Sequence, residues 1–269
     1  MRTTEAPSHY DHLDEMSTAD ILHGINQEDR TVPEAVAGSI PQITRLVDAI
    51  VARDGRVFYL GAGTSGRLAI TDASEIPPTY GVEGKFIALI AGGDNAIRTP
   101  AEGAEDDAEQ GWKDMLFYEP TPNDTLIGIT ASGGAPYVLG ALREARRAGL
   151  LTACLTCNTG SPAASVCDIP VETVVGPEFV TGSTRMKAGT SAKLILNMIS
   201  TAVMIRLGHV KGNKMVDMQL TNTKLVERGV RMILSETGTG DFETARDLLL
   251  RYGSVREAVR AYLKNVHSL

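Results

Sequence analysis

Five short apolar segments alternate with helical segments along the middle of the chain, and this alternation limits the possible folds more than any other feature. The apolar segments are residues 56–61, 86–93, 124–134, 150–158 and 169–176. The helical segments between them are residues 66–75, 97–116 and 136–149. Strands that alternate with helices are typical of a parallel sheet with helices on both faces. The sequence therefore predicts an α/β fold with three layers and five parallel strands.

Helices are predicted on both sides of this region. Ser17 to Asp20 forms a capping signal, and apolar residues recur at helical spacing through residues 40–50. A long helix is expected from about Ser183, another past Thr221, and two or three small helices within 239–269. The predicted organisation is an N-terminal helical segment at 1–50, a central α/β domain at 51–235 and a small C-terminal helical unit at 236–269.

Charge and hydropathy exclude several classes of protein. The chain has 269 residues, with 26 Lys and Arg against 33 Asp and Glu, so its net charge is −7. A broad basic surface for nucleic acid is therefore not expected. No apolar run reaches the roughly 18 residues that a membrane helix needs, and the polar N-terminus lacks the apolar core of a signal peptide. We expect a cytoplasmic protein with neither a membrane nor a nucleic-acid partner.

The cysteines do not predict a metal or redox site. Cys154 and Cys157 form a CxxC pair, and Cys167 is the third cysteine. A zinc site needs two further ligands, but the sequence has neither a second CxxC nor paired histidines. We expect buried or half-buried thiols in a strand and no bound metal.

A glycine-rich loop follows the first predicted strand and opens the next helix. Gly61, Gly63 and Gly66 match the spacing G-x-G-x-x-G. Backbone N–H groups at such a helix start bind anions, and the glycines allow an oxyanion to approach closely. A dinucleotide would also need an acidic residue about 20 positions on, at the end of the second strand. Glu83 precedes that strand and Asp94 lies 33 residues past Gly61, so an NAD site is not favoured.

Hydroxyl side chains follow three of the predicted strands. The candidate ligand-binding residues are Gly63, Thr64 and Ser65 in a first loop, Ser132 and Gly133 in a second, and Ser183 and Thr184 in a third. The carboxyl ends of parallel strands meet at one edge of the sheet, where ligands bind. Each loop alone is explained equally well as a helix cap. The three together favour a site for a compact phosphate monoester.

Longer motifs connect these loops with a known family. The segments GAGTSGRL…DASEIPPTYGV, IAGG…EGAEDD, EFVTGSTRMKAGTSAKLILNMISTA and GNKMVDMQLTNTKL resemble those of the N-acetylmuramic acid 6-phosphate etherases. These enzymes belong to the sugar isomerase (SIS) phosphosugar-binding superfamily and are related to the glucokinase regulatory protein. The resemblance covers roughly residues 8–235. It implies a SIS fold at 51–235, a homodimer, an amino sugar phosphate as substrate, and no metal or cofactor.

The resemblance also implies a reaction. The family cleaves the D-lactyl ether of N-acetylmuramic acid 6-phosphate by elimination and addition of water, which gives N-acetylglucosamine 6-phosphate and D-lactate. Glu75 and Glu105 match the two glutamates that have acid and base roles in the family. Without the resemblance, the acidic run around Glu105 would indicate a solvent-exposed helix face. The second loop departs from the family pattern at Gly134 and Ala135, where an arginine and a threonine are usual.

The position of Glu75 predicts that the active site is shared between two subunits. Glu75 follows Gly66 by nine residues, which is about 13–14 Å along a helix. At that distance it cannot easily reach the sugar bound at its own first loop. Either the helix breaks early, or Glu75 serves the ligand of the partner subunit. We expect the second, a homodimer with composite sites.

The third loop leaves several roles open. Glu178 lies five residues before Ser183, the offset of the catalytic glutamate in SIS isomerases, so it is either a base or a ligand for a sugar hydroxyl. Arg185 and Lys187 fall in the first turn of the predicted long helix, where cations oppose the helix dipole. Lys187 either binds the anionic substrate or forms a salt bridge. Two alternative functions are a non-catalytic phosphosugar-binding regulator and a phosphosugar isomerase.

Overall fold

The computed structural model describes residues 3–220, 223–239 and 241–266. For residues 265 and 266 it describes the backbone alone. Contacts divide these residues into two compact units. The first unit comprises the chain up to Ala73 together with Lys85–Val203, and the second comprises Ser74–Gly84 together with the residues from Met204 onward.

A five-stranded parallel sheet forms the centre of the first unit. Its strands are β1 (Val57–Gly61), β2 (Phe86–Ile90), β3 (Thr125–Ile129), β4 (Leu151–Thr156) and β5 (Ile169–Glu172). They lie in the order β2-β1-β3-β4-β5, and every neighbouring pair is parallel. Strands β1, β3 and β4 are buried at every residue, which explains their continuous apolar sequences. The predicted α/β fold with five parallel strands is confirmed.

Helices flank this sheet and form most of the second unit. In chain order they are α1 (Thr18–Asp29), α2 (Val32–Gly38), α3 (Ile40–Arg53), α4 (Gly63–Ser74), α5 (Ile76–Tyr80), α6 (Asn95–Arg98), α7 (Gln110–Leu116), α8 (Pro136–Arg147), α9 (Pro162–Val166), α10 (Lys187–Arg206), α11 (Thr223–Thr237), α12 (Phe242–Tyr252) and α13 (Val255–Val266). Short 3₁₀ turns lie at Thr3–Glu5, Leu13–Glu15 and Ala104–Asp106. Helix α8 packs on β1, β3 and β4, and α3 packs on β5.

Two predicted helices differ from the structure. The single helix expected at 97–116 is wrong, because this stretch contains the end of α6, the 3₁₀ turn Ala104–Asp106 and α7. Pro100 pushes Thr99 into an extended conformation, and Gly103 has a positive φ of 72°, so the helix cannot continue. The long helix begins at Lys187 rather than near Ser183.

Helix α10 is also more apolar than the sequence analysis anticipated. By length and composition alone, this 20-residue helix could cross a membrane, as could the bent pair of helical segments Thr18–Gly38 and Ile40–Arg53 if it were one span. The most apolar stretch of α10 is 56% buried within the protein, as in the core helix of a globular domain.

The second unit has its own core. A two-stranded hairpin, β6 (Val210–Lys211) and β7 (Lys214–Met215), precedes α11. Helices α11, α12 and α13 pack on one another around Val230, Ile233 and Leu249. The predicted boundaries at residues 50 and 235 do not coincide with the two units, because α3 packs on the sheet and α11 packs on the tail helices.

Candidate functional site

A cavity of about 460 Å³ lies at the carboxyl ends of the strands in the first unit. Its wall is formed by the loops that follow β1, β3 and β4 and by the first turns of α10. This is the edge at which a parallel sheet gathers its ligand-binding loops. Of the candidate ligand-binding residues, Gly63, Thr64, Ser65, Ser132 and Thr184 line the cavity, whereas Gly133, Ser183, Glu178 and Lys187 do not.

The first loop owes its shape to its glycines. Gly63 has a φ of 52°, which a glycine adopts without strain, and it begins α4. A Cβ atom on Gly66 would lie 2.5 Å from Cγ1 of Ile90, so only glycine lets α4 pack this closely on the sheet. Thr64 and Ser65 are half-buried in the cavity wall at the start of α4. The loop thus presents two hydroxyls and the N-terminus of a 12-residue helix to the cavity.

The second loop is held by residues that the sequence analysis did not identify. Gly133 has a φ of 73°, and a Cβ atom there would lie 2.3 Å from Cβ of Ser161, so this glycine packs behind the loop. The Asn158 side chain donates hydrogen bonds to the carbonyl oxygens of Ala131 (3.3 Å) and Ser132 (3.2 Å). The Ser132 hydroxyl oxygen accepts a hydrogen bond from the N–H of Gly134 at 3.2 Å. Part of the hydrogen-bonding capacity of Ser132 is therefore used within the loop.

Glu178 caps the N-terminus of α10. Its carboxylate oxygens accept hydrogen bonds from the N–H groups of Lys187 (2.7 Å) and Ala188 (3.0 Å). A carboxylate at this position satisfies free N–H groups and interacts favourably with the helix dipole. Burial raises the pKa of Glu178 above its ordinary value, although these hydrogen bonds lower it. Both oxygens of Glu178 thus bind the backbone of α10 rather than facing the cavity.

Lys187 forms a salt bridge, which is one of the two roles predicted for it, the other being binding of the anionic substrate. Its Nζ atom lies 2.6 Å from Oε2 of Glu28 on α1, and its side chain is only 3% exposed. Nδ1 of His9 lies 3.2 Å from the other oxygen of Glu28. Burial raises the pKa of Glu28, but the hydrogen bonds from Lys187 and His9 outweigh it and lower the pKa below its ordinary value. Arg185 is exposed and precedes α10, so it does not lie in the first turn as expected.

Carboxylates line part of the cavity wall. Glu105 and Asp106 belong to the 3₁₀ turn Ala104–Asp106, and both are exposed. A third acidic residue, Glu5, reaches the cavity from the N-terminal segment. Glu5 was not predicted, because one acidic residue in a polar segment carries no periodic or motif signal. Thr156 and Ser191, which line the cavity from β4 and α10, were not predicted either.

The comparisons with known proteins identify the family of this chain. A family model of the glucokinase regulatory protein N-terminal SIS domain matches residues 40–146. A Porphyromonas gingivalis protein named N-acetylmuramic acid 6-phosphate etherase is 60% identical over 261 residues, which cover 96% of this chain and 95% of the relative. A protein of the same name from Bacteroides thetaiotaomicron is 55% identical over 98% of this chain and 97% of its own length. The chain belongs to the N-acetylmuramic acid 6-phosphate etherase family.

Solved structures support the etherase family's expected fold. A phosphoheptose isomerase from Francisella tularensis superposes with a TM-score of 0.55 at 19% identity and covers 71% of this chain and all of its own. At that identity the likeness shows the SIS fold alone. The resemblance inferred from the sequence motifs is thus confirmed for both the family and the fold.

The two glutamates implied by the etherase resemblance fall in different units. Glu105 lines the cavity of the first unit. Glu75 is exposed at the junction of α4 and α5 and belongs to the second unit. Helix α4 continues unbroken from Gly63 to Ser74, so the early break that would shorten the path to Glu75 does not occur.

The thiols are free and buried, but only Cys154 lies in a strand as predicted, because Cys157 follows β4 and Cys167 follows α9. Cys154, Cys157 and Cys167 form no disulfide. Cys157 borders the cavity, and its Sγ atom lies 3.5 Å from Oγ of Ser191. Burial raises the pKa of Cys157 to about 11. Within the described ranges, no group of three or more His, Cys, Asp or Glu side chains could hold a metal ion.

Proposed function

We propose that this chain cleaves the D-lactyl ether of N-acetylmuramic acid 6-phosphate and releases N-acetylglucosamine 6-phosphate and D-lactate. The observation that carries the proposal is Glu105, an exposed carboxylate in the wall of a cavity that is also lined by hydroxyls from three loops. The names of relatives that are 55–60% identical over nearly the whole chain support the same substrate.

The phosphate group is bound by neutral donors in this proposal. No Lys or Arg side chain is among the described residues that line the cavity. The backbone N–H groups at the start of α4 and the hydroxyls of Thr64, Ser65, Ser132 and Thr184 are available instead. Several such donors aimed at one point bind a phosphate without a cationic side chain.

The reaction needs a base and an acid. When the sugar ring opens, its aldehyde acidifies the proton on C2, and a carboxylate removes that proton. The bond between C3 and the ether oxygen then breaks, and the departing lactate takes up a proton from the acid. Water adds across the resulting double bond, with its hydroxyl on C3 and a proton returned to C2. Glu105 and Glu75 supply these two proton transfers, each of which contributes about 10²–10⁴-fold to the rate.

The active unit is a homodimer with composite sites. Glu75 follows α4, whose 12 residues span about 18 Å, and the first loop lies at the opposite end of this helix. Glu75 therefore serves the sugar bound by the partner subunit. The three free thiols support a reducing compartment, so we assign the enzyme to the cytoplasm.

An isomerase that uses Glu178 as its base is less well supported. The Glu178 carboxylate accepts two backbone hydrogen bonds and is 1% exposed, so it lacks a free oxygen and access to substrate. A regulator that binds the phosphosugar without turnover would need no glutamate like Glu105 in its cavity.

Release of D-lactate from N-acetylmuramic acid 6-phosphate tests the proposal. We expect release without added metal or nucleotide, and we expect EDTA to leave the rate unchanged. Glu105→Gln should lower kcat about 10²–10⁴-fold. Glu102→Gln alters another exposed glutamate of the same acidic run, which does not line the cavity, and should leave kcat unchanged. Tight binding of the substrate without any D-lactate would favour the regulator instead.

A further inference from the structure

The N-terminal segment at residues 3–8 contributes Glu5 to the cavity wall and is attached by hydrogen bonds on either side of this residue. On one side, the N–H of Thr3 donates to Oδ1 of Asn158 at 2.7 Å, and the Asn158 amide donates to the Thr4 hydroxyl at 3.0 Å. On the other side, the Ser8 hydroxyl donates to the carbonyl of Phe179 at 2.7 Å. Thr4 and Asn158 are 1% and 4% exposed, so the first of these attachments is shielded from water.

Glu5 lies between the two attachments. Its side chain is exposed and forms part of the cavity wall. A Cβ atom placed on Gly182 would lie 3.8 Å from Oε2 of Glu5, so this carboxylate sits beside the third loop. No other side chain or backbone group in the described part of the chain forms a hydrogen bond or ion pair with it. An anchored carboxylate without a protein partner is available to a ligand.

The charge of the cavity indicates which part of a ligand Glu5 would contact. A phosphate or a lactyl carboxylate would be repelled by Glu5, whereas a sugar hydroxyl or amide N–H would donate a hydrogen bond to it. We propose that Glu5 is a substrate-binding residue that accepts a hydrogen bond from a neutral donor of the amino sugar. The identity of the sugar rests on the proposed function. The hydrogen bonds of Thr3 and Thr4 with Asn158 position Glu5 for this contact.

The Glu5→Ala variant tests the contact through binding as well as turnover. We expect the KM for N-acetylmuramic acid 6-phosphate and the Kd of N-acetylglucosamine 6-phosphate to rise about ten- to a hundredfold. The value of kcat should change little, since the contact is equal in ground and transition states. The Kd of inorganic phosphate should not rise, because phosphate lacks the sugar donor. Glu15→Ala, an exposed glutamate of the same N-terminal region outside the cavity wall, is the matched control.

Two results would overturn the inference. If Glu5→Ala weakens inorganic phosphate and N-acetylglucosamine 6-phosphate equally, Glu5 only supports the structure of the loops. If it weakens neither, Glu5 makes no contact with the sugar. The Kd of inorganic phosphate and the Kd of N-acetylglucosamine 6-phosphate are both measured without turnover. A parent protein that binds N-acetylglucosamine 6-phosphate but releases no D-lactate would therefore refute the proposed function, while the two Kd values would still decide the role of Glu5.

Thr4→Val tests the positioning by Asn158. The substitution keeps the shape of the side chain but removes the hydroxyl that accepts a hydrogen bond from the Asn158 amide. We expect it to raise the Kd of N-acetylglucosamine 6-phosphate, and we expect the double variant with Glu5→Ala to be no weaker than Glu5→Ala alone. Additive effects of the two substitutions would contradict a shared role.

Discussion

At the scale of single residues, two of the serines that line the cavity, Ser65 and Ser132, have different surroundings. The Ser132 hydroxyl oxygen is hydrogen-bonded to the N–H of Gly134. The Ser65 hydroxyl has no hydrogen-bond partner among the described residues and lies at the N-terminus of α4. Ser65 is therefore the freer donor for a phosphate oxygen.

We expect Ser65→Ala to weaken the binding of N-acetylglucosamine 6-phosphate more than Ser132→Ala does. A lost hydrogen bond to a charged group costs about 1.5–3 kcal/mol, which corresponds to roughly a ten- to hundredfold rise in Kd. Calorimetric titration of both variants measures the difference. A Kd for Ser65→Ala equal to that of the parent would show that the first loop does not bind the phosphate through this hydroxyl.

At the scale of secondary-structure elements, buried charges join segments that are distant in the sequence. The pair of Lys187 and Glu28 joins α10 to α1. Asp124 lies just before β3, and Arg56 lies just before β1. The Asp124 carboxylate accepts hydrogen bonds from the backbone N–H of Arg56 (2.7 Å) and from the Arg56 guanidinium (2.8 Å). Each pair satisfies groups that would otherwise be buried without a partner.

Lys187→Met should lower the free energy of unfolding by about 3–5 kcal/mol, because it removes the buried cation and leaves the Glu28 carboxylate only its contact with His9. Lys113→Met removes an exposed pair with Glu109 and should change the free energy of unfolding by at most about 1 kcal/mol. Urea unfolding of both variants provides the comparison. Similar values for the two would mean that the buried pair is no more important than a surface pair.

Asp124 should make stability depend on pH in the acidic range. Burial raises the pKa of Asp124, but the hydrogen bonds from Arg56 and Thr121 lower it below its ordinary value overall. Its contribution is therefore complete above the pKa of the unfolded chain, about 3.9, and is lost as the pH falls toward the folded value.

The Asp124→Asn variant tests this dependence. It should lower the free energy of unfolding by about 1.5–3 kcal/mol at pH 7, and it should lose less of its remaining stability between pH 5 and pH 3 than the parent does. Urea unfolding across this range measures both slopes. Parallel slopes would mean that other carboxylates cause the acid sensitivity.

At the scale of the whole molecule, the proposed dimer makes a quantitative prediction. Glu75→Gln and Glu105→Gln subunits should each be nearly inactive alone. In a mixed dimer, one site would combine an intact Glu105 with the partner's intact Glu75, and the other would lack both. Random exchange makes about half of the dimers mixed, so mixing should restore about a quarter of the parent rate of D-lactate release. No recovery after verified subunit exchange would mean that Glu75 acts within its own chain.

The sequence by itself determined the features that depend on neighbours along the chain. The apolar runs at 56–61 and 150–158 specify buried strands, because burial on both faces requires continuous apolar residues. Gly63 and Gly66 specify the first loop, because a positive φ and a close helix–sheet contact exclude other residues. The motifs around these loops were sufficient to identify the family.

Only the tertiary structure decided which side chains have a free oxygen or nitrogen at the cavity. Glu178 and Lys187 are bound to the backbone of α10 and to Glu28, and no spacing in the sequence distinguishes these partners from a ligand. Glu5 reaches the cavity because Thr3 bonds to Asn158, 155 residues away. Such pairings depend on how the sheet brings distant segments together, so local sequence patterns contain no signal for them.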